Sequence, residues 1–464
     1  MSRFDKLYEH APIWLQHAMV STYGLYWHWA RFGGSYKQHL KDYQLQEWLS
    51  EEDWAEYQQE KLNKLLSLCL EHVPYYRNHW NAAERRNAKN GELAKLPLLG
   101  KEEIREDANQ FRREDLNPFP KLVFHTSGTT GTPIATQFTL SELRNSIALR
   151  EARSANWAGV SFEEPRATFS GRMVEPDPER ETNVYRYNFI EKQVYFSAFH
   201  LKPETAHLYV NALKNHHITW LTGYAVSYYL LAKYILEQNI KVPEIKAVIT
   251  TSEKLTSTMR EVMEKAYGCR VFEEYSTVEN ALFASECEHG RLHISPDVGI
   301  VEILRPDGSR CDPGEVGEVV TTCLMRTYQP LIRFRLGDLA AWDPELCPCG
   351  RQMPVIKEVI GRIEDVVTGP DGRQLVRFHG IFTDQPNVIE GQIIQETMHD
   401  FRVKVIPTAD FSSLDLLDIQ NRMHQRLGPE VKIKVEKVSE IQRTKSGKYQ
   451  AVISKINNNS QSTS

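Results

Sequence analysis

Three groups of residues in this chain have types and spacings suited to chemistry. The first is the segment from Phe124 to Ile134, where Ser127, Thr129, Thr130 and Thr132 are interleaved with Gly128 and Gly131. Glycine lets backbone N–H groups approach an anion closely, and the hydroxyls add further donors, so the loop suits a polyphosphate. It is not a Walker A loop, because no Gly-Lys-Ser/Thr closes it. The second group is the thiolate pair Cys347 and Cys349, with Cys287, His289 and His293 upstream. Cys287, His293, Cys347 and Cys349 offer three sulfurs and one nitrogen, a set that completes a tetrahedral structural zinc shell. His289 is the alternative nitrogen ligand, and buried free thiols with surface histidines is the other reading. The third group is the cationic segment Gln442 to Lys448, either a solvated face or a contact for an anion.

The elements that must position these groups belong to a chain of 464 residues, long enough for two or more domains. Hydrophobic residues make up 41% and charged residues 25%, in the ordinary range for a soluble globular protein. Lys and Arg number 56 against 61 Asp and Glu, a net charge of −5, so there is no nucleic-acid footprint. An anionic ligand must therefore be held by a local site. No apolar run approaches the roughly 20 residues of a membrane span. Charged residues and histidines interrupt Met1 to Val20, so no signal peptide is expected there. The 7 cysteines are an odd count, which argues against a disulfide framework and for a cytoplasmic setting. The aromatic N-terminal residues, Trp14, Tyr23, Tyr26, Trp27, Trp29 and Phe32, are expected to pack as helices on the main domain, contact with a membrane surface being the other reading.

Lys121 to His125 reads as a strand feeding the hydroxyl-rich loop. Thr139-Leu-Ser-Glu142 is a capping box opening a helix to about Ala155. Strands at Ile218–Leu221, Ala247–Thr251 and Val271–Glu274 alternate with helices at Val226–Glu237 and after Lys254, a pattern of βαβ units. Val298–Leu304 and Glu318–Thr322 read as an antiparallel sheet, with Asp307-Gly308 and Pro313-Gly314 as turns. From Gly361 a small unit begins, with strands at Arg402–Ile406 and Val431–Val438 and a helix at Leu414–Leu427. The expected fold class is α/β: a large N-terminal domain, 1–360, with mixed, mostly parallel sheets and an antiparallel subdomain. A small α+β lid, 361–456, and a polar disordered tail, 457–464, follow.

Five segments in fixed order resemble the adenylate-forming, acyl-CoA synthetase-like ligases, most closely the phenylacetate–CoA ligase branch and its capsule-associated relatives. They are Ser127–Thr132, Glu274-Tyr-Ser-Thr-Val-Glu279, Arg333-Phe-Arg-Leu-Gly-Asp338, Gly361-Arg-Ile-Glu-Asp365 and the segment ending at Lys448. The resemblance implies that Ser127, Gly128, Thr129, Thr130, Gly131 and Thr132 hold phosphates. It implies that Tyr275 stacks on adenine beside Ser276, Ser252 and Glu253, that Thr277 contacts phosphate and that Glu279 holds Mg²⁺. Asp338 would bind both ribose hydroxyls, Arg362 ribose or phosphate, and Tyr224 would wall the acyl pocket, a core aromatic being the other reading of that residue. Glu364 sits at the hinge position, and Lys448 would stabilise transition-state charge. The chain departs from the pattern at Ser276 and Val278, and Ile134 stands where many superfamily members carry lysine.

The implied reaction uses ATP and Mg²⁺ to convert a carboxylic acid into an acyl adenylate, which coenzyme A then captures as a thioester. An acceptor other than coenzyme A, an amine, a sugar or a carrier in surface-polysaccharide or secondary biosynthesis, is the alternative. A catalytically silent nucleotide-binding scaffold is the reading from another class. The resemblance leaves a homodimer open and calls for no nucleic acid and no integral membrane segment.

Overall fold

The computed structural model describes residues 8, 11–125, 134–170, 174–175, 182–198, 200–362, 367–370, 374–375, 381–382, 385, 387–443 and 449–456. Helices dominate the first part: α1 (Ile13–Phe32), α2 (Tyr36–Gln46), α3 (Glu51–His72), α4 (Pro74–His79), α5 (Ala82–Lys89) and α6 (Lys101–Glu106). Ser50 and Asp53 form a capping box at the start of α3. Val73 ends that helix, and Pro74 opens the next at its first position, where its missing N–H costs nothing.

The hairpin β1 (Leu122–His125) and β2 (Ala135–Phe138) flanks the hydroxyl-rich loop, and Thr139 caps α7 (Leu140–Arg150) through a box with Glu142. The expected helix to Ala155 changes pitch, because residues 151–155 form a π-helical turn. That turn carries Arg153, whose guanidinium is wholly buried and forks onto the equally buried Asp297 at 2.7 and 3.2 Å.

Twelve strands then form one continuous sheet. They are β3 (Arg166–Phe169), β4 (Tyr185–Asn188), β5 (Gln193–Phe196), β6 (Trp220–Tyr224), β7 (Ala247–Thr251), β8 (Arg270–Ser276), β9 (Phe283–Glu286), β10 (Leu292–Ile294), β11 (Gly299–Leu304), β12 (Val316–Cys323), β13 (Phe334–Trp342) and β14 (Val355–Arg362). Their spatial order is β11-β12-β13-β14-β10-β9-β8-β7-β6-β3-β5-β4. The stretch β5-β3-β6-β7-β8 is parallel, with α8 (Ala206–Asn215), α9 (Ala225–Glu237) and α10 (Ser257–Tyr267) among its connections. From β8 outward through β9 to β11 every pairing is antiparallel. The parallel core and the antiparallel part are thus joined edge to edge at β8.

β6 starts two residues later than the apolar run at Ile218 suggests, because the Ile218 N–H is spent on Leu213 at the end of α8. Gly223, with φ +135, lies against β3: a Cβ there would meet the Phe169 carbonyl oxygen at 2.0 Å, so no larger residue fits. The last part forms a separate sheet in the order β19-β18-β17-β20: β17 (Val388–Gln395), β18 (Asp400–Pro407), β19 (Lys432–Lys437) and β20 (Val452–Ser454). The short pair β15 (Val367–Thr368) and β16 (Gln374–Leu375) precedes it. Ile419, Met423 and Leu427 of α11 (Ser413–Leu427) pack into the same small core as Val403 and Val405.

α1 differs from expectation in what it leaves outside. Gln16, Gly24 and Ala30 are buried, whereas Trp14, Tyr23 and Trp29 are 70%, 60% and 51% exposed. No helix among the described residues is long and apolar enough to cross a membrane.

Because Asp297 is paired in the interior, Arg153→Met should destabilise the fold by about 3–5 kcal/mol, the cost of stranding one buried charge. Urea denaturation checks this. Arg153→Met/Asp297→Leu should recover much of the loss, and equal losses in the single and double variants would show that packing, not the ion pair, dominates.

Candidate functional site

The site is organised by strand alternation along β8. Successive side chains of a strand point to opposite faces, so Glu273 and Tyr275 share one face while Glu274 and Ser276 share the other. The Tyr275 hydroxyl donates to Asp338 Oδ2 at 2.7 Å, across from β13. This joins two segments 63 residues apart, the two expected to hold adenine and ribose. Asp338 is buried and stands opposite Arg362 in the β13–β14 register; the Arg362 side chain lies outside the described residues.

Beyond β8 the chain turns at residues 277–280. Thr277 closes the turn, accepting the Asn280 N–H on its carbonyl at 3.0 Å and the Ala281 N–H on its hydroxyl at 3.3 Å. Glu279 is buried, and among the described residues its carboxylate makes no hydrogen bond, its charged neighbour being the buried Arg326. A buried carboxylate without hydrogen bonds is costly, and this one fits a divalent cation. Its backbone carbonyl is held by Arg326 at 2.8 Å.

Arg326, which carries no motif signal, ties the region together. It is completely buried, stacks 4.2 Å above Phe138 and also donates to the Gln137 carbonyl at 2.7 Å. The strand leaving the hydroxyl-rich loop is thereby fastened to the Glu279 turn. Its only trace in sequence is a lone arginine in the run Leu324-Met325-Arg326. Arg335, by contrast, forms a bidentate pair with Glu318 at the surface, a structural role.

Ser252 and Glu253 follow β7. Ser252 has a left-handed backbone, φ 71, as does Asn280, φ 49. Left-handed residues other than glycine cluster at functional sites, where surrounding structure holds the strain. The Glu253 carboxylate accepts the N–H of Val226 and the N–H of Tyr449, each at 2.9 Å. The residue following Lys448 is therefore fastened to the turn expected to face adenine. Ser127 to Thr132, Glu364 and Lys448 themselves lie outside the described residues. Tyr224 is buried in the same core cluster as Val226 and Leu255.

The cysteine and histidine side chains converge at the β9–β10 hairpin. One ligand atom from each of Cys287, His293, Cys347 and Cys349 lies within 4.8 Å of every other. Cys287 Sγ is 3.6 Å from Cys347 Sγ, and Cys349 Sγ is 3.4 Å from His293 Nε2. His293 Nδ1 lies 3.2 Å from the Met353 carbonyl, which leaves Nε2 as the inward nitrogen. Burial pushes the His293 imidazole down to about 4, so it is neutral at physiological pH. His289 contributes its backbone N–H to Cys287 Sγ and is not part of the cluster.

On the Tyr275 face of β8, burial and the neighbouring Glu286 charge push the Glu273 carboxyl up to about 7 from an ordinary 4.5. The folded state keeps a proton that the unfolded chain releases, so this contribution is full below about pH 4.5 and lost as pH rises through about 7. Glu273→Gln should remove that loss. In melting curves across this window, wild type should fall relative to the variant; parallel curves would show that Glu273 does not titrate there.

The CapK C-terminal domain family matches residues 369–455. Protein CapK of Staphylococcus aureus is 25% identical over 463 residues, 97% of this chain and 99% of that protein. A phenylacetate–coenzyme A ligase of Thermus thermophilus is 25% identical over 337 residues, 67% of this chain and 70% of that one. Among solved structures, a 2-hydroxyisobutyryl-CoA ligase with a bound acyl-AMP aligns with TM-score 0.65 at 21% identity, covering 87% of this chain and 91% of that one. An anthranilate CoA ligase with anthranoyl-AMP aligns with TM-score 0.50 at 15% identity, covering 73% and 65%. The chain has the fold of the adenylate-forming ligases, its C-terminal part matches the CapK C-terminal domain family, and in sequence it is similar to CapK and to a phenylacetate–coenzyme A ligase.

Proposed function

We propose that this protein uses ATP to activate a carboxylic acid as an acyl adenylate and then transfers the acyl group to coenzyme A. The observation that carries the reading is the Tyr275–Asp338 bond, which joins the two segments expected to hold adenine and ribose; the buried Glu279 carboxylate, without a hydrogen bond among the described residues, supports it. In the first step a substrate carboxylate oxygen attacks the α-phosphorus, the bond to the bridging oxygen breaks, and pyrophosphate leaves. Tyr275 and Asp338 orient the nucleoside, a carboxylate suiting a pair of hydroxyls because it offers two acceptor oxygens. Thr277 and the Ser127–Thr132 loop meet the phosphates. Glu279 would hold Mg²⁺, which would offset phosphate charge when bound. Lys448 supplies a positive charge at the forming acyl phosphate, a role supported by the hold of Glu253 on Tyr449. In the second step the thiol sulfur attacks the acyl carbon, AMP departs, and the lid domain 361–456 turns about Glu364 to admit the acceptor.

A second reading is favoured by the full-length similarity to CapK: the acyl adenylate passes to an amine, a sugar or a carrier in surface-polysaccharide biosynthesis. Carboxylate-dependent ATP–pyrophosphate exchange tests the shared first step, and thioester formation separates the acceptors. Exchange with no thioester would favour the second reading. Lys448→Ala and Asp338→Ala should each lower exchange by about 10²-fold or more. Lys448→Ala should retain ATP binding, whereas Asp338→Ala should weaken it. Undiminished exchange in Lys448→Ala would remove the C-terminal motif from the reaction.

We further assign the Cys287, His293, Cys347 and Cys349 cluster to a structural zinc ion. Elemental analysis should find about one zinc per chain, and Cys349→Ser should lose it together with several degrees of melting temperature. Zinc-free protein of full stability would exclude the site.

A further inference from the structure

The face of β8 that carries Glu274 and Ser276 borders a cavity of about 220 Å³, the liquid volume of roughly seven waters. Ser252 and Ser276 line it, so it opens beside the nucleotide residues. Its far wall is α7. There Arg150, 29% exposed, donates from Nε and Nη2 to the buried Glu274 carboxylate at 3.2 and 3.1 Å. Glu274 also accepts from the Ser276 and Thr251 hydroxyls at 3.4 and 3.5 Å, so its acceptor capacity is taken.

What remains unused on the cavity wall is donor capacity. Arg150 Nη1, the Ser146 and Ser252 hydroxyls and the Asn280 carboxamide make no hydrogen bond among the described residues. Ser252 and Asn280 also have left-handed backbones, φ 71 and 49. The remaining lining, including Leu282, Phe283 and Met325, is apolar. A plain aryl or alkyl acid would satisfy the apolar part and leave the polar groups dry and unpaired, which is the more costly error.

We propose that this cavity takes the acyl part of the substrate and selects a small carboxylic acid with a hydroxyl or carbonyl oxygen placed to accept from Arg150 Nη1 and to bond Asn280. The proposal rests on the adenylation reading and names its substrate class. The charge of Arg150 is already matched by Glu274, so the distal group need not be a second carboxylate. Arg150 and Asn280 act as specificity-determining residues; neither takes part in bond making.

The test is ATP–pyrophosphate exchange with 2-, 3- and 4-hydroxybutanoate and glucuronate against butanoate and phenylacetate. In parallel, the melting temperature is measured with each acid in the absence of ATP. At least one oxygen-bearing acid should exceed butanoate and phenylacetate by about 100-fold or more in kcat/KM. Arg150→Lys, which keeps the partner charge for Glu274, and Asn280→Gly, which keeps the backbone geometry, should each shrink that ratio about 10-fold or more. The favoured acid should raise the melting temperature of wild type and not of the variants. Butanoate or phenylacetate ranking level with the oxygenated acids would overturn the pocket assignment and leave adenylation standing. A ratio unchanged in both variants would overturn it too. An Arg150-dependent melting shift without exchange would uphold the pocket and reject adenylation. Neither shift nor exchange would reject both.

Discussion

The two-residue period of β8 is the constraint on which the site depends. One strand must serve two faces, because adjacent side chains cannot point the same way. Tyr275 is thereby committed to Asp338 and Glu274 to Arg150. A slip of one residue in one direction would set the Glu274 carboxylate against Asp338, and in the other direction would set the Tyr275 phenol against the Arg150 guanidinium. The register is secured on both sides, by parallel pairing with β7 and antiparallel pairing with β9. β8 is also where the parallel and antiparallel parts of the sheet meet, so residues from both parts reach one place.

Buried arginines keep the surrounding segments in position. Arg326 binds the Gln137 carbonyl and the Glu279 carbonyl at once, and Arg153 locks the π-helical turn after α7 to Asp297. Arg333 does the same at the start of β13, with Glu302 and the Leu96 carbonyl as partners. Each guanidinium offers several donors in a fixed plane, so one side chain can satisfy carbonyls from separate segments and specify their spacing. Burying these charges is a poor route to stability alone; here it is accompanied by the joining of loops that helices and strands do not connect.

Polar segments hid much of the sheet from a sequence reading. β3, β4 and β5 contain Arg166, Arg186 and Gln193, which break an apolar pattern yet are buried because each finds hydrogen-bond partners inside. The aromatic residues of α1 misled in the opposite way: their types suggest burial, and three of them face outward. Side-chain type sets a preference for burial, and the neighbours decide it.

Local elements and the order of the chemical groups follow from the run of residues alone. Capping boxes at Ser50 and Thr139, the βα alternation and the spacing of Tyr275, Glu279 and Asp338 are properties of short stretches, readable because their physics is local. Which groups meet is a property of the folded chain: Tyr275 with Asp338, Glu253 with Tyr449, His293 instead of His289 with the three thiols, and Arg150 with Glu274. Those contacts span tens to hundreds of residues, and their geometry follows from sheet register and helix packing, which no single segment encodes.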